Sequence, residues 1–147
     1  MKIVKTIIKF CLFYSFRGTC YGKWLSKNKL LRFIARRRLI HFLVHIGANT
    51  KIGKNFIMDH PQGIVIGGFT RLGDNCKVYQ NVTIGQKNNK YPIIGNNVVI
   101  YANSVVFGDI HIGDNVVIGA GSVVDKSIPD NCTVAGNPAK IIKSDLS

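Results

Sequence analysis

The 147 residues include no glutamate; all seven acidic side chains are aspartate. Glutamate suits helix interiors and aspartate suits turns, so this absence argues for a turn-rich β protein. Cysteine offers no framework. The four residues, at 11, 20, 76 and 132, form no Cys-x-x-Cys pair, and the four histidines, at 41, 45, 60 and 111, show no zinc-ligand spacing. Free thiols in a reducing cytosol follow, and no metal requirement is expected. Long apolar runs are also missing. In the first 44 residues the longest charge-free stretch is Phe10–Phe16, too short to cross a bilayer. Lysines break the apolar core that a signal peptide needs, and no convincing small-residue cleavage site follows. A cytoplasmic location is the expectation. Neither a P-loop nor a dinucleotide fingerprint occurs.

Positive charge is in excess, and it is uneven. Of the net +13, residues 1–44 carry +11, from six Lys and five Arg with no acid. There Ile3, Val4, Ile7, Ile8, Cys11 and Leu12 follow helical spacing, and Lys2, Lys5 and Lys9 share the opposite face. A second basic, apolar stretch runs from Trp24 to Val44 and contains Arg36, Arg37 and Arg38. This short, helical, basic arm has two readings that are compatible. It can cap the open end of a repeat domain. It can also lie at a membrane surface, with apolar residues in the interface and Lys/Arg on anionic headgroups. The charge would suit nucleic acid too, but no recognition motif accompanies it, so no nucleic-acid partner is expected.

From Ile46 onward the chain follows a period of six. Aliphatic–glycine pairs stand at 46–47, 52–53, 66–67, 72–73, 84–85, 94–95, 112–113 and 118–119. Ile94, Ile100, Val106, Ile112, Ile118 and Val124 form an unbroken run at that spacing. Six residues is neither the helical nor the strand period; it marks a parallel β-helix, each hexad being one short strand and one corner. The aliphatic residue faces the core. The glycine after it is expected in a tight turn at positive φ. Four places on, small or β-branched residues recur: Thr50, Thr70, Cys76, Val82, Val98, Ser104, Val116 and Ser122. Thirteen hexads give a little over four coils, a thin prism that favours oligomerisation, with a threefold assembly the natural arrangement. Two insertions break the register, of two residues at Asp59-His60-Pro61-Gln62-Gly63 and of four at Gln86–Pro92. A solenoid can extrude such residues only at corners, often on a binding face. The expected layout is an arm over 1–44, a β-helix over 45–143 and a frayed tail over 144–147.

The hexad array, the His60 corner and the closing Ala135-Gly136-Asn137-Pro138-Ala139-Lys140 resemble the hexapeptide-repeat acyltransferases. Most similar are serine acetyltransferase and the enzymes that O-acetylate capsule or exopolysaccharide sugars. The stretches 59–67, 81–85 and 118–124 carry the likeness, which covers about residues 45–143. The resemblance implies a left-handed β-helix, an exception to the right-handed crossover rule. It also implies a homotrimer, with acetyl-CoA as co-substrate lying between neighbouring prisms. Transfer from a thioester to a hydroxyl needs a base, and imidazole suits that role near neutral pH. His60 matches the family's base. Asp59 matches a position that contacts the acceptor, although an Asp also suits a turn. Ala102 and Ala120 match positions whose backbone lines the CoA groove, and Lys126 and Lys140, with Lys143 beside them, match basic positions near the CoA phosphates.

The chain departs from the serine enzyme in three places. His45 falls where that enzyme has the Asp that orients its base. Tyr91, before Pro92, replaces a second active-site His, so Tyr91 becomes a candidate acceptor contact. The large helical N-terminal domain is replaced by the basic arm. These departures favour a sugar hydroxyl, of a capsule, exopolysaccharide or lipopolysaccharide or its lipid-linked precursor, over serine. Serine O-acetylation and a silent β-helix scaffold are the competing readings.

Overall fold

The computed structural model describes residues 44–144. The basic arm assigned to 1–44 therefore lies outside the described residues, except for Val44. Among those described, no helix is long and apolar enough to cross a membrane.

Thirteen short strands, β1 (His45–Ile46), β2 (Lys51–Ile52), β3 (Ile57–Met58), β4 (Val65–Ile66), β5 (Arg71–Leu72), β6 (Lys77–Val78), β7 (Thr83–Gly85), β8 (Ile93–Ile94), β9 (Val99–Ile100), β10 (Val105–Phe107), β11 (His111–Ile112), β12 (Val117–Ile118) and β13 (Val123–Val124), carry one inward hexad position each. They stack as three parallel sheets: β1-β4-β7-β10-β13 (sheet A), β2-β5-β8-β11 (sheet B) and β3-β6-β9-β12 (sheet C). The prism is the hexapeptide-repeat left-handed β-helix. Ile66, Ile84, Ile100, Ile112 and Ile118 are fully buried along its axis, with Val78 and Val106 in the same register. The small positions are buried as well, apart from Thr50 in the first coil, which is half-buried. Hydroxyls among them satisfy corner carbonyls: Thr50 Oγ1 donates to Gly47 O and Gly67 O at 2.9 Å, and Ser104 Oγ to Gly119 O at 2.9 Å.

The glycine expectation is corrected. None of the eight glycines after the aliphatic positions has positive φ. Several are there because coils approach too closely for a Cβ: one on Gly73 would lie 2.6 Å from Gly95 O, and one on Gly113 would lie 2.6 Å from Asp130 N. The left-handed positions of the corner between sheets B and C are filled by asparagine, at Asn55, Asn75, Asn97, Asn115 and Asn131. Asparagine tolerates that region because its amide bonds locally. Here the amides also bond one another, Nδ2 to Oδ1, at 2.9, 3.1, 2.9 and 2.8 Å from coil to coil. Beside them runs a second ladder. Oδ1 of Asp74, Asn96, Asp114 and Asp130 accepts the backbone N–H of Lys54, Asp74, Asn96 and Asp114 in turn.

The prism does not end at Val124. Ile128 bridges to Ile112, and β14 (Cys132–Ala135) extends sheet C beyond β12. The chain then reverses, and β15 (Lys140–Ser144) pairs antiparallel with β14. Reversal closes the edge that a fifth coil would leave open. It also takes Ser144, expected in a frayed tail, into the last strand.

Candidate active site

The first insertion lies between β3 and β4, at the corner from sheet C to sheet A. His60 is exposed there and has φ 50°. Among the described residues, ten other than glycine have positive φ; nine are asparagine and the tenth is His60. His60 O accepts from Gln62 N at 2.7 Å, which tightens the turn. Among the described residues, no hydrogen bond or ion pair engages the imidazole, so its nitrogens face solvent unclaimed. Unusual backbone conformations of this kind gather at functional sites.

The same corner recurs below His60, one coil at a time. Asn81 N donates to Gln62 O, Asn103 N to Gln80 O and Gly121 N to Ala102 O. His60, Gln80, Ala102 and Ala120 therefore lie along one edge, with coils about 4.8 Å apart. The lower part of the edge is lined by small residues. Nothing comes within 4 Å of where a Cβ on Gly121 would be. Gln80 Oε1 is buried with no donor. An orphaned buried acceptor is costly, and a ligand N–H or O–H laid in this corner would satisfy it. The edge thus fits an elongated polar molecule such as the pantetheine arm of CoA. Lys140 opens β15 opposite Ala135 at the lower end of sheet C, close to this edge.

Asp59, beside His60, is half-buried and paired. Lys77 Nζ, on β6 of the coil below, lies 2.5 Å from its Oδ2. Lys77 Nζ is also 4.9 Å from the centroid of the Tyr79 ring, and Tyr101, one coil further on, stacks against Tyr79 with centroids 4.9 Å apart. The bond to Asp59 and then the contact with Tyr79 hold the Lys77 ammonium above its ordinary range.

Tyr91 and Lys126 are elsewhere. Both follow strands of sheet A and precede sheet B, on the opposite edge of sheet A from His60. Tyr91 packs its ring on Gly67, with the Phe69 ring at 5.5 Å. Its loop is pinned by Lys87–Lys90 backbone bonds of 3.0 Å and by Lys90 Nζ to Asp109 Oδ2 at 3.0 Å. One chain therefore gathers His60, Asp59, Ala102 and Ala120 on one edge but does not bring Tyr91 or Lys126 to them. His45 begins β1 of sheet A and pairs with Val65, with its side chain exposed. Among the described residues, no group of three His, Cys, Asp or Glu could hold a metal ion. Reading the sequence alone missed Lys77, Tyr79, Gln80 and Tyr101. Their register could have exposed them, since each lies within two residues of an inward aliphatic one or two coils below Asp59.

Comparison with known proteins agrees with this architecture. Residues 91–126 match the family model described as bacterial transferase hexapeptide (six repeats). The serine acetyltransferase of Staphylococcus epidermidis is 42% identical over 130 residues, covering 82% of this chain and 60% of that protein. The Neisseria gonorrhoeae serine acetyltransferase structure superposes with a TM-score of 0.73 at 37% identity, over 80% of this chain and 48% of that one. The Brucella abortus serine acetyltransferase, in complex with coenzyme A, gives 0.73 at 32% identity, over 85% and 51%. The chain carries the hexapeptide-repeat left-handed β-helix and closely matches the serine acetyltransferase family of structures. It spans 60% of the length of the S. epidermidis relative and about half of the solved chains.

Proposed function

We propose that this chain is an acetyl-CoA-dependent O-acetyltransferase whose general base is His60. The observation that carries the reading is the exposed, unengaged imidazole at a left-handed position, on the edge that also bears Ala102 and Ala120. His60 takes the proton of the acceptor hydroxyl as its oxygen bonds to the thioester carbonyl carbon. The C–S bond then breaks, and the proton passes to the departing sulfur. The CoA complex of the Brucella relative supports the donor. Ala102 and Ala120 would line its path through backbone groups, and Lys126, Lys140 and Lys143 would face its phosphates.

On the comparisons alone L-serine is the first acceptor, because the relatives are serine acetyltransferases. That ranking displaces the sugar acceptor favoured by the sequence. The sugar reading keeps one specific observation in its support: Asp59, the candidate acceptor contact, already has Lys77 as its partner.

Tyr91 and Lys126 reach the site only from a neighbouring copy, and we include a homotrimer in the proposal. Residues 1–44 are proposed as a cap and as a peripheral membrane contact; liposome co-sedimentation that weakens with salt would support the latter, and salt-insensitive absence of binding would leave the cap.

The test follows free thiol from acetyl-CoA with L-serine and with neutral sugars. Loss of turnover in His60→Ala is the expected result. Turnover unchanged in that variant would remove the base assignment, and no CoA binding would favour a scaffold. For the assembly, mixing inactive His60→Ala with inactive Tyr91→Ala copies should restore part of the activity, because some sites would then be built from two intact halves.

A further inference from the structure

We propose that Lys77 is a specificity residue: it bars acceptors that carry an ammonium group and directs transfer to a neutral, hydroxyl-rich acceptor of the carbohydrate class. The inference rests on the acetyl-transfer reading with His60 as base and departs, on the acceptor side, from the ranking that the comparisons alone give. Asp59 is the sole carboxylate on this edge of the prism among the described residues, and it adjoins His60 in the chain. In an amino-alcohol such as serine, the ammonium sits on the carbon next to the one bearing the hydroxyl. With that hydroxyl at the His60 ring, the ammonium would need a carboxylate close by, and on this edge that of Asp59, the neighbour of His60 in the chain, is the one on offer. Lys77 Nζ already occupies that place, 2.5 Å from Oδ2, with the Tyr79 ring beside it. An incoming ammonium would displace a like charge or lie against it, and at such separations like charges repel strongly even beside partial solvent. Lys77 cannot simply shed its charge, since Asp59 and Tyr79 both favour the protonated form.

A neutral polyol meets no such conflict. Its hydroxyls can accept from Lys77 Nζ and donate to Asp59 without breaking the pair. Below that pair the stacked rings of Tyr79 and Tyr101 continue along the edge, and Tyr101 is 40% exposed. The next position of the column is Gly119, so no side chain covers Tyr101 from the coil below. Aromatic rings with an open side suit the C–H surfaces of a sugar and give nothing to a molecule as small as serine.

The experiment measures L-serine binding to the full chain by calorimetry, in wild type, Lys77→Ala and Lys77→Arg, with free-thiol assays on L-serine, neutral hexoses and N-acetylhexosamines alongside. Lys77→Ala should bind L-serine about tenfold more tightly than wild type, a discounted figure because both side chains are about a third exposed. Lys77→Arg should bind it as wild type does, because the charge is kept. The serine-to-sugar ratio of kcat/KM should rise in Lys77→Ala while the KM for acetyl-CoA holds. Serine affinity unchanged within about twofold across the three proteins would overturn the proposal. So would a wild type that prefers serine to every neutral acceptor. A failure of the underlying reading looks different: His60→Ala would keep turnover, while the serine titration would still report on Lys77.

Discussion

Replacing His60 by asparagine should make the protein more stable and inactive at once. A side chain with a Cβ costs about 1–2 kcal/mol in the left-handed region. Asparagine recovers part of that by local hydrogen bonding, and among the described residues asparagine fills the other nine such positions outside glycine. Histidine also visits this region more than most residues, so the net gain is smaller, about 0.5–1 kcal/mol. The imidazole is exposed and engages no described partner, so little packing is lost to offset the gain. For a domain of this size the gain corresponds to a rise in Tm of about 2–6 °C. Turnover should fall by about 10²–10⁴, the usual contribution of a positioned base. Denaturant titration of wild type, His60→Asn and His60→Ala at one protein concentration, with thiol release measured on the same samples, tests both halves. Alanine lacks the compensating amide and should lose activity without gaining stability. The reasoning fails if His60→Asn proves less stable than wild type, because the imidazole would then hold a structural contact. It also fails if that variant stays active.

Other consequences follow from the corners and the core. Asn97→Ala removes two amide bonds, to Asn75 and Asn115, and puts alanine at positive φ; a loss of about 2–3 kcal/mol in denaturant titration is expected. The backbone and then the side chain of Asn96 hold the Asp114 carboxyl below its ordinary 3.8. A group whose folded pKa is depressed contributes stability above its unfolded value and loses it as pH falls through the folded one. The protein should therefore lose stability below about pH 4, and Asp114→Asn should flatten that part of the stability-against-pH curve. Burial raises the Cys76 thiol. With Cys11 and Cys20 replaced by serine, a thiol reagent should leave the native protein unmodified and react once denaturant opens the prism; fast labelling of native protein would contradict the buried placement of Cys76 and Cys132.

The scaffold was legible because one steric demand repeats. Each inward aliphatic must meet its equivalents above and below, so the period is written thirteen times, and each predicted position falls on one of the strands β1–β13. The turn chemistry was misassigned for a physical reason. Glycine permits positive φ, but in this chain it is retained where coils nearly touch, and the left-handed corner falls two residues later, as in Gly53-Lys54-Asn55 and Gly73-Asp74-Asn75. The closing β14–β15 reversal carries no period, since only the need to cover an end shapes it. Side-chain partners across coils were the hardest to see. Met58 meets Val78, Val78 meets Ile100 and Ile100 meets Ile118, at separations of 20, 22 and 18 residues, because the insertions are absorbed at corners. Lys77 over Asp59 and Tyr101 over Tyr79 appear only after that uneven register is known.

The insertions also divide the labour between corners. The corner between sheets B and C takes no extra residue, so its asparagine and aspartate ladders run unbroken through the coils. The corner between sheets C and A admits two extra residues in the first coil. There a histidine holds a conformation that, among the other described residues outside glycine, belongs to asparagine, its ring is left unbonded, and a buried glutamine oxygen below it lacks a donor. The second corner keeps one amide rung, Asn81 Nδ2 to Asn103 Oδ1 at 3.1 Å, but leaves the His60 ring and Gln80 Oε1 without partners, the arrangement expected when one edge is held for a ligand. The two corners should therefore respond in opposite ways. Asn97→Ala should weaken the fold while the remaining folded protein keeps its KM values, and His60→Asn should strengthen the fold while abolishing turnover. If both variants lost stability and activity together, the division would not hold, and the left-handed histidine would be one more rung of the scaffold.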